Sequence, residues 1–524
     1  MKFWTISEQL HCEANGGFFN SFPAVNTRTE RILHCRIVRI YTKHVCIFSI
    51  FSKKTFQMKR SVFLLTTVLT FLLITSVVTA QSNPFTGSWL GTITTSGLQL
   101  RIAFHISEQE GIIITKMDSP DQNSFGNAAH KTTVSGNHIT IDLPLMGAKY
   151  DGTLENDSIK GTFYQGGNEI PLKMGKFEGQ LSPPKRSQVP QAPFPYKEKE
   201  VTIKTTDPKV KLSGTLTTPT GKEPFPAVIL ISGSGPQDRN EELMGHKPFH
   251  VLADHLSRNG IAVLRYDDRG VGKSTGEFNK ATSIDFATDA EAAWKFLHKQ
   301  KGIDKTKVGI IGHSEGGLIA PIVASANKHV GFIILMAGPS VPGGIIIPDQ
   351  QELIMRASGT DEEEIRQQTA LTQLIINYIF QHAASTSLQQ DLTTQIEGWI
   401  KELNFPVPKS SSPKNFARQT AYTYTSDWMK TFIITSPADF MKDVTCPVLA
   451  LFGENDLQVS VRANMEPMQQ LLHSHKGSSV HTFPKLNHLF QTSETGAPSE
   501  YLLIEETLSP AFMEYVSNWI LNLK

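Results

Sequence analysis

The chain has 524 residues, of which 39% are hydrophobic and 19% charged, and its 50 Lys and Arg residues nearly balance 49 Asp and Glu residues. This length exceeds one ordinary domain, and the composition is that of a globular protein with a sizeable core. Because there is no large basic patch, we do not expect a nucleic acid partner.

The amino-terminal region contains the pattern of a secretory signal peptide. Residues 58–80 comprise a positively charged start, an uncharged apolar run and a small-x-small end. We expect translation to begin at Met58, residues 1–57 to be upstream sequence, and cleavage to fall between Ala80 and Gln81. The protein would then be secreted or periplasmic, without stable membrane insertion. The alternative, an uncleaved membrane anchor, would need a longer apolar run.

Residues 81–180 alternate short strand-like segments with turn residues. Leu98–Phe104 and His138–Leu143 are typical segments, and Asp151-Gly152 is a typical turn. A turn about every ten residues predicts an antiparallel β-barrel or sandwich. No polar residues converge in this region, so we expect no catalysis there. The five prolines that follow within residues 181–197 predict a semi-rigid, extended linker.

From residue 198 to 524, near-continuous apolar runs alternate with helical segments. Strand-like runs such as 226–232 and 261–266 and helical segments such as 284–300 predict a mostly parallel sheet covered on both faces. Between about 341 and 443 this alternation stops and helical spacing takes over, which predicts a helical insertion. Within it, Thr360 and Glu363 form a capping-box pattern at the start of a helix.

A nucleophile elbow is predicted at Gly312-His-Ser-Glu-Gly316. An apolar strand leads into this Gly-x-Ser-x-Gly sequence and a small-residue helix follows, the order that such an elbow requires. The flanking residues must be small because the backbones approach closely. Ser314 is therefore the candidate nucleophile. The neighbouring side chains of His313 and Glu315 are expected to shape the turn.

A serine hydroxyl needs a base, and the base needs a carboxylate to orient it. Asp456 and His488 each follow a predicted strand, in the order Ser, Asp, His, at the sheet edge where open α/β sheets place their sites. Glu454 is an alternative for the orienting carboxylate, but Asp456 is preferred because it lies deeper in the loop.

Two backbone N–H groups are expected to form the oxyanion hole. One belongs to Glu315 and the other to Ser234, with Gly233 as the alternative. No metal or organic cofactor is expected. A second glycine-rich segment, Arg265–Ser274, is interpreted as a structural turn held by paired charges.

Residues 198–524 resemble the α/β-hydrolase superfamily. The motifs Ser232–Asn240, Arg265-Tyr-Asp-Asp-Arg-Gly270 and Gly312–Gly316 are similar to those of secreted bacterial carboxylesterases close to the serine aminopeptidases and prolyl-oligopeptidase-like hydrolases. The resemblance implies an eight-stranded, mostly parallel sheet with a helical cap after the sixth strand. Many relatives carry His where this chain has Ser232, which should alter the support of the oxyanion loop more than its donors.

These observations predict a secreted serine hydrolase that cleaves small-molecule carboxylic esters through Ser314, His488 and Asp456. One alternative is a peptidase or another acyl hydrolase that uses the same three residues. A different alternative is a non-catalytic protein whose β domain binds a lipid or a glycan. The correct order of the three residues weighs against an inert protein.

Overall fold

The computed structural model describes residues 83–523, apart from 96–97, 123, 166–167, 183 and 409–410. The predicted upstream segment 1–57 and the predicted signal peptide 58–80 lie outside this range. Within it, no helix is both long enough and apolar enough to cross a membrane.

The first domain is one nine-stranded antiparallel sheet with the order β4-β3-β2-β1-β9-β8-β7-β6-β5. Its strands are β1 (Gly87–Thr95), β2 (Leu98–Gln109), β3 (Ile112–Ser119), β4 (Ser124–Ala128), β5 (Lys131–Ser135), β6 (His138–Leu143), β7 (Ala148–Glu155), β8 (Ser158–Gln165) and β9 (Asn168–Lys176). The sheet curls until β5, at one end, lies beside β3, where the Thr132 hydroxyl donates to the Thr115 hydroxyl at 2.8 Å. The prediction of an antiparallel β domain is confirmed, in its barrel-like form.

Alternate residues along these strands point into the curled sheet, as the two-residue period of a strand requires. Trp89 on β1 lies directly opposite Phe104 on β2, and both side chains are fully buried. The ring of Tyr150 lies 5.3 Å from that of Phe104, and its hydroxyl donates to the Leu172 carbonyl at 3.1 Å. Each of these aromatic side chains removes roughly 150–250 Å² from water. The interior of the sheet is therefore filled by side chains.

The proline-rich segment after β9 is bonded to the second domain. The buried guanidinium of Arg186 donates to the carbonyls of Leu502 and Ile504 at 2.9 and 2.5 Å and to that of Met244 at 2.9 Å. The Gln188 side chain accepts from the N–H of Leu508 at 3.0 Å and donates to its carbonyl at 2.7 Å. Hydrogen bonds to a charged group contribute about 1.5–3 kcal/mol each. The linker is therefore fixed to the second domain at Arg186 and Gln188, and it includes a turn in which the Val189 N–H donates to the Arg186 carbonyl at 3.1 Å.

The second domain contains an eight-stranded sheet with the order β10-β11-β13-β12-β14-β15-β16-β17. Its strands are β10 (Lys197–Lys204), β11 (Lys211–Thr218), β12 (Phe225–Ile231), β13 (Ala262–Tyr266), β14 (Ile303–His313), β15 (Ile333–Met336), β16 (Val448–Gly453) and β17 (Ser479–Phe483). The pairs β10–β11 and β11–β13 are antiparallel and every other pair is parallel. Every residue of β13, β15 and β16 is buried, because helices cover both faces of a parallel sheet. The predicted eight-stranded, mostly parallel sheet is confirmed.

Five helices pack around this sheet. They are α1 (Pro248–Arg258), α2 (Ser283–His298), α3 (Glu315–Ala326), α10 (Val461–Leu472) and α11 (Pro510–Leu521). Helix α2 lies against α3, and α1 lies against α11. This packing leaves the carboxyl ends of the parallel strands as the edge where the connecting loops gather.

A group of six helices forms the cap, inserted between β15 and β16 and thus after the sixth strand of the sheet, as predicted. They are α4 (Gly343–Ala357), α5 (Glu362–His382), α6 (Leu388–Glu402), α7 (Pro413–Tyr424), α8 (Asp427–Ile434) and α9 (Pro437–Met441). The cap has its own apolar core, which includes Ile379, Ile396 and Tyr424. The predicted capping box at Thr360 is wrong. The N-cap of α5 is Asp361, whose carboxylate accepts from the N–H of Glu363 at 2.8 Å.

Candidate active site

Ser314 occupies a sharp turn between β14 and α3. Its backbone has φ 52° and ψ −116°, a conformation that non-glycine residues rarely adopt. The turn is held by two backbone hydrogen bonds, from Ser314 N–H to the Met336 carbonyl at 2.9 Å and from Gly317 N–H to the Ser314 carbonyl at 2.8 Å. This strand, strained turn and helix match the elbow predicted from the sequence.

Glycines let the elbow close. A Cβ added at Gly312 would lie 2.0 Å from the carbonyl oxygen of Gly316, and one at Gly316 would lie 2.3 Å from that of Ile231. A Cβ at Gly317 would lie 2.4 Å from the Cα of Gly338. Because each obstacle is backbone, it cannot move aside as a flexible side chain would. The small residues around Ser314 are therefore required by packing.

His488 and Asp456 meet in the loops after β17 and β16. The Nδ1 atom of His488 lies 2.9 Å from Oδ2 of Asp456, and the two residues are 4% and 2% exposed. The other carboxylate oxygen of Asp456 accepts from the N–H groups of Gln458 and Val459 at 2.7 and 2.9 Å. These bonds fix the orientation of the carboxylate, which in turn fixes that of the imidazole.

The alternative acid, Glu454, is exposed and lies outside this contact. The structure thus brings Asp456, and not Glu454, into hydrogen-bond distance of His488.

The residue before Ser314 lies beside the His488 loop. The ring of His313, the residue before Ser314, lies 4.9 Å from the ring of His488. Among the described residues the Ser314 hydroxyl makes no hydrogen bond, and Ser314 is half-buried. The bond between a catalytic serine and its base often tightens only when substrate is bound.

The two predicted oxyanion donors are free to bind. In the described part of the chain, the N–H groups of Ser234 and Glu315 have no hydrogen-bond partner. Glu315 is the first residue of α3, where N–H groups lack intrahelical partners and favour a negative charge. By contrast, the N–H of Gly233 donates to Glu241 Oε1 at 2.7 Å. This engagement favours Ser234 over the alternative, Gly233.

The carboxylate of Asp268 is hydrogen-bonded to both ends of the oxyanion loop, residues 232–237. Asp268 accepts from the Ser232 hydroxyl at 3.1 Å and from the Gln237 N–H at 3.0 Å. Exclusion of water raises the pKa of this carboxyl well above its ordinary value. Ser232 therefore supports the loop through Asp268, in line with the expectation that its departure from the family pattern affects support.

The neighbouring carboxylate, Asp267, holds the segment after the oxyanion loop. Its two oxygens accept from Arg239 Nε and Nη2 at 2.9 and 2.8 Å. The hydrogen bonds that Arg239 donates to Asp267 are the main reason that the pKa of Arg239 is raised. The prediction that Arg265–Ser274 is a turn held by paired charges agrees with these contacts. What sequence reasoning missed is that Asp268, in the same segment, supports the oxyanion loop.

The side chain of Glu315 joins the elbow to the cap. Its Oε1 accepts from the Ser283 hydroxyl on α2 at 2.6 Å and from the Trp428 indole N–H on α8 at 2.9 Å. Burial raises the pKa of this carboxyl, and these two hydrogen bonds oppose the shift. One residue thus presents a backbone N–H at the site and a side chain to the cap.

A cleft borders the oxyanion loop and the elbow. Its polar lining consists of Ser232, Gly233, Gly235, Asp268, Asp289 and Glu315. Asp289 accepts from Arg269 Nε at 2.6 Å, so one of these carboxylates has a paired cation. Across the described ranges, no three His, Cys, Asp or Glu side chains are arranged to hold a metal ion.

Comparison with known proteins identifies several relatives. The family described as "Serine aminopeptidase, S33" matches residues 246–369. Esterase EstD from Thermotoga maritima is 27% identical over 311 residues, which cover 59% of this chain and 64% of that esterase. The chain thus spans slightly less than two thirds of the length of this curated relative.

Two solved structures are also similar to this chain. An esterase of Pyrococcus furiosus, PF2001, is 16% identical with a TM-score of 0.38, covering 63% of this chain and 92% of that one. Est1E from Butyrivibrio proteoclasticus, with ferulic acid bound, is 18% identical with a TM-score of 0.35, covering 62% of this chain and 98% of that one.

The strand order, the inserted cap and the elbow are those of an α/β-hydrolase fold. Within this fold the chain is similar to the serine aminopeptidase family over residues 246–369 and to EstD. The resemblance inferred from the sequence motifs is confirmed.

Replacement of Gly312 by Ala should prevent the elbow from closing. The new Cβ would meet the backbone oxygen of Gly316, so we expect Gly312→Ala to lower the free energy of unfolding by about 3 kcal/mol or more. The matched control is Gly398→Ala in α6, where a Cβ has no neighbour within 4 Å and should stabilise the helix by about 0.5–1 kcal/mol. Thermal unfolding of both variants measures the difference, and equal melting temperatures would contradict the packing argument.

Proposed function

We propose that this protein is a serine hydrolase that cleaves carboxylic esters of small molecules. The observation that carries the proposal is the buried contact between His488 Nδ1 and Asp456 Oδ2 at 2.9 Å, beside the strained turn at Ser314. With Nδ1 held by the carboxylate, Nε2 is left as the basic atom of the imidazole. The relationship to EstD supports an ester as the substrate.

The proposed reaction has two halves. The Ser314 oxygen attacks the ester carbonyl while His488 Nε2 takes the hydroxyl proton, and the same proton then passes to the departing alcohol. The N–H groups of Ser234 and Glu315 stabilise the negative charge that develops on the carbonyl oxygen. Water, deprotonated by His488, then attacks the acyl group on Ser314 and releases the acid.

Removal of the Ser314 hydroxyl should abolish turnover. We expect Ser314→Ala to lower kcat for a p-nitrophenyl ester by at least about 10⁴-fold, since this variant has no nucleophile. A fluorophosphonate probe should label the unmodified chain and not the variant. Persistent turnover or labelling of the variant would overturn the mechanism, and absence of both in the unmodified chain would favour a binding protein.

A matched pair of variants tests the acid. Asp456→Asn should reduce kcat by about 10³-fold or more, because an amide no longer favours the required tautomer of His488. Glu454→Gln, the same chemical change two residues away, alters an exposed side chain and should leave kcat unchanged. Equal effects of the two changes would refute the assignment of Asp456.

A peptidase is the second candidate, because the matched family carries the description of a serine aminopeptidase. The same three residues could attack an amide. If the protein is an esterase, kcat/KM for an acyl p-nitrophenyl ester should exceed that for an aminoacyl p-nitroanilide by at least about 100-fold, beyond the preference set by leaving-group reactivity. A panel of acyl lengths and aminoacyl groups measures this ratio, and faster cleavage of anilides would establish the peptidase.

We propose that the protein is exported and loses residues 58–80. The positively charged start, apolar run and small-x-small end of that segment support the proposal. Amino-terminal sequencing of protein recovered from the periplasm or medium of an expressing bacterium should begin at Gln81. A chain that stays in the cytoplasm, or keeps this segment in the membrane, would contradict export with cleavage.

A further inference from the structure

A buried ion pair that the proposed reaction does not use lies behind the active site. His313 Nδ1 is 2.8 Å from Glu241 Oε1, and the two side chains are 6% and 7% exposed. His313 directly precedes the proposed nucleophile, whereas Glu241 lies 72 residues earlier, between the oxyanion loop and α1. Nothing in the local sequence around Glu241 indicates this contact.

The pair is bonded to all three segments that build the site. Glu241 Oε1 also accepts from the N–H of Gly233, in the oxyanion loop, at 2.7 Å. His313 Nε2 donates to the backbone carbonyl of His488 at 3.0 Å. The third segment is the elbow, of which His313 is itself a part. The three segments come from distant parts of the chain and meet at these two side chains.

The hydrogen-bond partners constrain the protons of His313. A carbonyl oxygen only accepts, so Nε2 of His313 carries a hydrogen. A carboxylate oxygen at Glu241 can accept from both the Gly233 N–H and an Nδ1–H of His313. Burial alone would lower the pKa of His313, but the charge of Glu241 and the hydrogen bond to it raise the pKa. These contacts favour an imidazolium beside a carboxylate.

The conformation and surroundings of Glu241 destabilise the folded state when considered by themselves. Glu241 has a positive φ of 52°, in the region that disfavours side chains. Among the described residues its second carboxylate oxygen is buried without a hydrogen-bond partner. A strained backbone and an unpaired buried oxygen both destabilise the folded state. Neighbouring structure must hold both in place, as it does where geometry serves function.

We propose that Glu241 and His313 are positioning residues that hold the oxyanion loop, the elbow and the His488 loop in the relative placement needed for attack. The proposal rests on the proposed serine hydrolase function. Fixing the Gly233 N–H orients the adjoining peptide, whose N–H at Ser234 has no hydrogen-bond partner among the described residues. Fixing the His488 carbonyl also fixes the position of the backbone that carries the His488 imidazole, the proposed base.

The test compares Glu241→Ala, Glu241→Gln and Glu242→Gln in the full chain. Glu241→Ala removes the hydrogen bonds to both Gly233 and His313. We therefore expect kcat per active site to fall by about 100-fold, the size expected when an oxyanion donor or the base is displaced. Glutamine still accepts from Gly233 but cannot stabilise an imidazolium, so one His313 bond is lost and kcat should fall by about 10-fold. The neighbouring Glu242→Gln should leave kcat unchanged.

Three measurements separate positioning from simple loss of structure. Active sites are counted by fluorophosphonate titration, KM and kcat are determined on one p-nitrophenyl ester, and melting temperatures are recorded. Positioning predicts a lower kcat per titrated site with KM within about 2-fold, because ground-state binding is not affected. If Glu241→Ala does not fold, Glu241→Gln decides the question.

Two results would overturn the proposal. One is a kcat per titrated site that stays at the wild-type value in the folded Glu241 variants, while Ser314→Ala is inactive. That result would reject the positioning role but leave the serine hydrolase mechanism intact. The other is an unmodified chain that neither turns over ester nor labels at Ser314, which overturns the proposed function and the positioning role with it.

Discussion

The positive φ of Ser314 is the constraint on which the rest of the site depends. A non-glycine residue in this conformation costs roughly 1–3 kcal/mol, and the surrounding packing must supply that energy. Glycines on both sides of the serine allow the strand, the helix and the neighbouring strand ends to approach within backbone contact. In this turn the N–H of Glu315, at the start of α3, has no hydrogen-bond partner among the described residues. The position of the proposed nucleophile and the free N–H of the proposed oxyanion hole are thus two results of one turn.

Local patterns were sufficient to predict the parts of the site that follow directly from strands. Ser314, Asp456 and His488 each follow an apolar run, and parallel strands bring their carboxyl ends to one edge. The depth of Asp456 in its loop distinguished it from Glu454. By contrast, Glu241 and Asp268 act through contacts across 72 and 36 residues, which depend on loop conformations that no short pattern specifies.

Two details of the fold also lay beyond sequence reasoning. A barrel and a sandwich share the same alternation, and only the curl that brings Thr132 to Thr115 decides between them. At the start of α5, Thr360 and Asp361 both have side chains that can cap a helix, and a shift of one residue changes which of them does so. Sequence spacing locates such an end to within a residue or two, whereas the hydrogen bond fixes it.

The fixed linker has a mechanical consequence for the front sheet. Arg186 and Gln188 bind the carbonyls of residues 502, 504 and 508, and Leu502 also packs against the core of the β domain. Residues 501–508 lie between the His488 loop and the final helix, and the Tyr501 hydroxyl accepts from Gln458 in the Asp456 loop. A force applied to the front sheet would therefore act on residues 501–508, which adjoin the loops of His488 and Asp456. The front domain is thus joined to the proposed active site by hydrogen bonds and packing as well as by the chain itself.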